Sequence, residues 1–193
     1  MKTKHLLAIA VLLVVGLPFT AQAQLQDRPQ DFDLYEYFDR DVYAWGLFEA
    51  RFGSLKREFS VLIRGSIEDE KLVLREYFNY ADGEKQQRTW RITQTGKNTY
   101  EGRAADVKGI AIGTVKENTL SWKYSLELKT DERNIVVALD DKMYLQKDGS
   151  MINRASMSKW GVNVGEISLF FLPAELLENT PLKEAEFHSH FAN

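Results

Sequence analysis

Apolar and polar residues alternate along most of the chain. Phe59, Val61 and Ile63 alternate with Glu58, Ser60 and Arg64. Leu72, Leu74, Phe78 and Tyr80 share a second row, with Arg75 and Asn79 between them. Leu120, Trp122, Tyr124, Leu126 and Leu128 alternate with Ser121, Lys123, Ser125 and Glu127. Ile135, Val137, Leu139 and Met143 form a further row, followed by Val162 and Val164. A period of two turns one set of side chains inward and the other to solvent, as in antiparallel sheet. Turn signals centre near Asp69, Gly83, Lys97, Asn118, Glu132, Gly149 and Gly161. Asp82-Gly83 and Asp148-Gly149 are the strongest, because glycine supplies the positive φ of tight hairpins. No interval carries a helical crossover pattern, which argues against parallel connections.

The spacing predicts strands of about ten residues, long against the usual five or six. A one-sided sheet of that length must curl or pair to hide its apolar face and its edges. The fold expected is all-β: an antiparallel meander of eight to ten strands, closed into a calycin/lipocalin-like barrel. A two-sheet β-sandwich is the alternative. Phe32, Tyr35 and Phe38 recur every third residue, as a short helix across one barrel end or an irregular arm would place them. Pro173 suits the first turn of a helix continued by Ala174 to Glu178, and Pro181 interrupts it. Gly102, Gly109 and Gly113 fall in a weaker segment and read as barrel corners.

The N-terminus has the form of an export signal. Lys2 and Lys4 precede the apolar or small stretch Leu6 to Leu17, Pro18 ends it, and Ala21-Gln22-Ala23 is a small-x-small cleavage site. Cleavage is expected between Ala23 and Gln24. Twelve apolar residues fall short of the about 20 that span a bilayer as a helix. The expected organisation is therefore 1–23 as a cleaved signal peptide and 24–42 as a leader with a short helix. The β-barrel domain follows over 43–172, with a C-terminal appendage over 173–193.

Composition narrows the classes. The chain has 193 residues, 44% hydrophobic and 27% charged, a globular balance for one domain. Loss of Lys2 and Lys4 moves the formal net charge from −3 to −5. No nucleic-acid partner is expected of an acidic exported chain without a Lys/Arg cluster, and its net charge disfavours adsorption to anionic lipid. There is no cysteine. That removes disulfides, thiolate chemistry, Cys-ligated zinc and the acylated cysteine of a bacterial lipoprotein, so no stable membrane anchor is expected after cleavage.

Candidate chemistry lies in charges set on otherwise apolar rows. Glu49 follows Trp45 and Leu47, and Glu76 sits between Leu74 and Phe78. Arg88 is in phase with Trp90 and Ile92, Asp141 with Leu139 and Met143, and Glu166 with Val164. In a barrel lumen such charges would form a polar cluster, with Arg88 answering the carboxylates; near strand ends they would meet water at the rim. A two-residue loop at Asp82-Gly83 would put Glu76 and Arg88 on opposite faces, and a bulge or a three-residue loop would bring them into phase. Asp140 and Asp141 are strand neighbours on opposite faces and cannot serve one site. Trp90 and Trp122 serve either as core filling or as aromatic walls. The candidate ligand-binding set is Glu76, Arg88, Trp90, Trp122 and Asp141. The mature chain's two histidines, His188 and His190, lie near the C-terminus. No catalytic residue, metal site or cofactor is expected.

Many short motifs resemble one bacterial family, domain-of-unknown-function family 3833. They include Ala44-Trp45-Gly46, the Phe59 to Gly65 strand, Glu76-Tyr77-Phe78, Asp82-Gly83-Glu84 and Arg88-Thr89-Trp90. Tyr100-Glu101-Gly102, Asp106-Val107, Trp122-Lys123-Tyr124 and Asp140-Asp141 with Met143-Tyr144 continue the match. Ile152-Asn153-Arg154-Ala155 and Ser158-Lys159-Trp160-Gly161 complete it. The resemblance implies a Gram-negative envelope protein of unestablished activity. It supplies no catalytic residues, and the lipobox cysteine of many members is missing here. The function expected is a periplasmic, non-enzymatic barrel that binds a small apolar or amphiphilic molecule. The alternative is a structural or interaction protein that contacts an envelope protein partner.

Overall fold

The computed structural model describes residues 32–129 and 133–177. A short helix α1 (Leu34–Phe38) precedes ten strands: β1 (Asp41–Ala50), β2 (Leu55–Glu68), β3 (Lys71–Tyr80), β4 (Lys85–Gly96) and β5 (Thr99–Arg103). There follow β6 (Val107–Lys116), β7 (Thr119–Lys129), β8 (Asn134–Leu145), β9 (Met151–Lys159) and β10 (Val162–Pro173), then a helical turn α2 (Ala174–Leu177). Each strand pairs with its sequence neighbours, and β1 closes on β10, giving a barrel with no free edge. This is the meander expected, and a sandwich does not describe it. The first strand begins at Asp41, two residues before the expected boundary, and the last ends at Pro173, one residue beyond it. The signal peptide, its cleavage site at Ala23 and Gln24, Glu178 onward, His188 and His190 lie outside the described residues.

The core is the barrel interior, walled by Val61, Ile63, Leu72, Leu74, Trp90 and Ile92 on one side and by Leu120, Trp122, Leu139 and Met151 on the other. The outer face is mixed: charges pair across strands, as in Arg75 with Glu68 at 2.8 Å and Lys123 with Asp140 at 2.8 Å, beside exposed apolar residues such as Ile112, Ile152 and Phe170.

α1 plugs one end. Asp33 caps it by accepting from the Tyr35 and Glu36 amides at 2.8 and 3.0 Å. The Phe32 amide donates to the Glu117 carbonyl at 2.9 Å, and the Tyr35 hydroxyl donates to the Ile92 carbonyl at 2.9 Å. These bonds tie the helical segment to the β6–β7 turn and to β4. The opposite end is rimmed by the β1–β2, β3–β4, β5–β6 and β9–β10 turns, and no helix crosses it among the described residues. Turns at Ala104–Asp106, without glycine, and at Arg51–Ser54, with Gly53 at φ +79°, add to those expected.

Three sequence expectations are corrected. Trp45, Leu47 and Glu49 face outward, because Val42 and Ala44 of the other row are the wholly buried ones. Both rows of β1 are apolar because its outer face carries a second cluster, where Tyr43, Trp45, Leu62 and Leu172 pack beneath Leu177 of α2. Glu166 also faces outward. A bulge between Asn163 and Gly165 flips the phase after Val164, and Glu166 pairs on the surface with Arg154. Gly102 and Gly113 are not barrel corners: a Cβ at either would lie 2.4 or 2.3 Å from the Trp122 ring, so they clear space for the indole. Gly109, at φ +79°, lies where the β6–β7 register shifts.

Candidate functional site

The β3–β4 hairpin builds the polar part of the lumen. Its loop has three residues, Ala81–Gly83, closed by the Tyr80 amide donating to the Glu84 carbonyl at 3.0 Å, with Gly83 at φ +89°. This register sets Glu76 directly opposite Arg88 and Leu74 opposite Trp90, all facing inward. The shift that brings the two charges into phase therefore comes from the longer loop.

Arg88 is held between two acids. Its Nε donates to Asp106 Oδ2 at 2.9 Å and its Nη2 approaches the same oxygen at 2.9 Å. Its Nη1 is 3.6 Å from Glu76 Oε2, an ion pair without a hydrogen bond. The guanidinium lies 5.4 Å from the centre of the Phe78 ring. Side-chain exposure is only 13% for Arg88 and 14% for Glu76. Across the lumen, Asp141 on β8 accepts a bond from Asn153 Nδ2 of β9 at 3.2 Å and one from the Tyr124 hydroxyl of β7. Asp140, its neighbour, points outward to Lys123, so the two aspartates serve opposite faces as expected.

Burial sets the protonation of this cluster. It pushes the Glu76 carboxyl up to about 7; Arg88 pulls against the rise and Asp106 adds to it. Burial likewise pushes Asp141 up to about 7, opposed by its bonds from Asn153 and Tyr124. It also lifts the Tyr124 phenol well above its ordinary value. For Arg88, burial disfavours the charge, but Glu76, Tyr124 and Asp106 outweigh it and hold the guanidinium protonated. The cluster thus has one fixed cation and two carboxyls that change charge near neutrality.

These groups line a cavity of about 130 Å³, walled otherwise by Ile63, Leu74, Trp90, Leu120, Trp122 and Leu169, and reached at its plugged end by Leu34 and Phe38 of α1. Trp90 meets Trp122 edge-on at 5.8 Å and Tyr124 at 5.3 Å. Its indole also hydrogen-bonds Glu76. Two acceptors of this lining, Glu76 Oε2 and Asn153 Oδ1, are buried without a hydrogen-bond partner. Unpaired buried polar atoms cost about 1–3 kcal/mol each, so their presence in a cavity calls for a partner.

All five residues of the sequence-derived set, Glu76, Arg88, Trp90, Trp122 and Asp141, line this one cavity. Three members of the cluster escaped that reading. Asn153 sits on the inward row Met151, Asn153, Ala155 and Met157, a period-two signal that could have shown a polar residue facing in. Tyr124 falls in an otherwise apolar row of β7, where only its hydroxyl marks it as polar. Asp106 lies in a loop and reaches Arg88 only through tertiary structure, with no local signal.

A search of curated proteins found no match. Among solved structures, the S-type phycobiliprotein lyase CPES from Guillardia theta is similar at a TM-score of 0.49 and 7% identity, over 71% of this chain and 87% of that one. The motifs of the β3–β4 hairpin and of β7–β9, which build the site, also lie within the stretch covered by a family model, residues 11–172, described as a protein of unknown function. The chain belongs to that family, DUF3833.

Proposed function

We propose that the barrel is a periplasmic binding protein, not an enzyme, and that its lumen holds a small amphiphilic molecule. The ligand's apolar part lies against Trp90 and Trp122, and a hydrogen-bond donor at its other end meets Glu76 and Asn153. The observation that carries this reading is the pair of unpartnered buried acceptors, Glu76 Oε2 and Asn153 Oδ1, lining an otherwise apolar cavity. A primary amide or ammonium group has donors for both, and an alcohol supplies one of them. Size restricts the class further. A cavity near 150 Å³ accommodates benzene, so about 130 Å³ suits a single ring or short chain and not a large cofactor. The export signal supports the location.

Native mass spectrometry of the protein purified from the bacterium that makes it tests the proposal. A retained small molecule, lost in a variant whose cavity is filled by Ile63→Phe, is the result expected. A bare mass in both preparations would favour a filled, purely structural barrel that acts through its outer surface.

A further inference from the structure

The rim opposite α1 carries two side chains that folding does not explain. Phe52, in the β1–β2 turn, is 90% exposed, and Trp160, in the β9–β10 turn, is 91% exposed. These turns are neighbours, because β1 pairs with β10 and the Arg51 amide donates to the Val164 carbonyl at 3.1 Å. Single exposed apolar residues are ordinary, but two whole aromatic rings at adjacent tips are not.

Trp160 is also conformationally costly. It stands at φ +52° beside Gly161 at φ +79°, in a two-residue hairpin loop whose first position favours asparagine or aspartate. The other non-glycine residues at positive φ among the described residues are Asp69, Glu70 and Glu117, all polar. A bulky ring held there, in water, points to a role outside the fold.

The charges around the two tips identify the partner. Residues 50–56 and 157–163 contain Arg51, Lys56 and Lys159 and no carboxylate. The Arg51 guanidinium lies 5.4 Å from the Phe52 ring centre and the Lys159 ammonium 4.7 Å from that of Trp160. Aromatic tips flanked by cations match the interface of an anionic bilayer, where rings seat at the headgroup level and lysine and arginine meet lipid phosphates. The chain is acidic overall, but the two turn segments themselves carry only cations.

We propose that the paired turns dock the barrel reversibly on an anionic membrane surface, with Phe52 and Trp160 inserted at headgroup depth. Docking would bring the end opposite α1 toward the lipid. The proposal stands apart from ligand binding, since neither ring lines the cavity.

Co-sedimentation of the full, host-processed chain with mixed phosphatidylcholine/phosphatidylglycerol vesicles tests it, with tryptophan emission as a second readout. Binding is expected, with a blue shift absent from Trp160→Phe. Phe52→Ser with Trp160→Ser should weaken it at least tenfold, and Arg51→Gln with Lys159→Gln should weaken it only on the anionic vesicles. Trp160→Asn should melt at a higher temperature yet bind vesicles less, a combination no structural role for the ring produces. Wild-type binding no stronger than that of the double serine variant would overturn the proposal. So would loss, in that variant, of a self-association seen without lipid, which would make the tips a contact between copies. Loss of vesicle binding with luminal binding intact separates this test from that of the ligand.

Discussion

Glu76 stands directly opposite Arg88 across the β3–β4 pair, its Oε2 3.6 Å from the guanidinium, while Asp106 takes the same guanidinium through a direct hydrogen bond at 2.9 Å. Arg88 is therefore shared between one fully bonded acid and one that is only near it. Glu76 is left with ionic attraction but an unsatisfied oxygen.

Removing the cation should expose that imbalance. Arg88→Ala leaves two acids facing a low-dielectric lumen and should cost about 3–5 kcal/mol near pH 8, as for a broken buried pair. Glu76→Gln should cost far less, because Asp106 keeps Arg88 paired. Urea melts of both variants and the double mutant measure the coupling. A coupling near zero would mean that Glu76 and Arg88 do not interact.

The raised carboxyls make stability depend on pH with a definite sign. Glu76 rises from 4.5 and Asp141 from 3.8, each to about 7. Between about pH 4 and 7 the folded state holds protons that the unfolded state releases, so stability falls as pH rises through this window. The loss should be on the order of a few kcal/mol, and Glu76→Gln with Asp141→Asn should flatten it. Glu68 and Asp148 are lowered instead, so the stability they contribute is lost as pH falls below the window. Chemical melts at a series of pH values check the slope; a wild-type stability that rises from pH 5 to 7 would contradict it.

Trp122 fits only because two facing positions lack a Cβ. Gly113→Ala and Gly102→Ala should each destabilise by about 1–3 kcal/mol through overpacking against the ring. Trp122→Leu in the Gly113→Ala background should recover part of the loss. Thermal melts of the set decide, and additive effects would show that the ring is not the obstacle.

Much of this was legible in the sequence, for reasons that differ by element. The barrel was readable because β7 and β8 bury one face only, which imposes a strict period of two. The luminal charges Glu76, Arg88 and Asp141 could be read by the same rule, as polar residues in phase with Leu74, Trp90 and Leu139. Phase misled wherever both rows of a strand are apolar, as around Trp45, or where a bulge resets it, as before Glu166. Neither a second outer cluster nor a bulge has a signature in one strand's pattern. Gly102 and Gly113 read as corners because their partner, the Trp122 ring, is distant in sequence. Asp106 completes the Arg88 pair from a loop, where periodicity says nothing.

The central claim is that the lumen binds a donor-bearing amphiphile of about one ring in size. Its most direct test is a titration with benzyl alcohol and, in parallel, toluene, followed by the indole N–H resonances of Trp90 and Trp122. The account predicts saturable shifts at both indoles, tighter binding of benzyl alcohol than of toluene, and loss of that preference in Glu76→Leu. Equal binding of the two probes, or no shift at either indole, would contradict it.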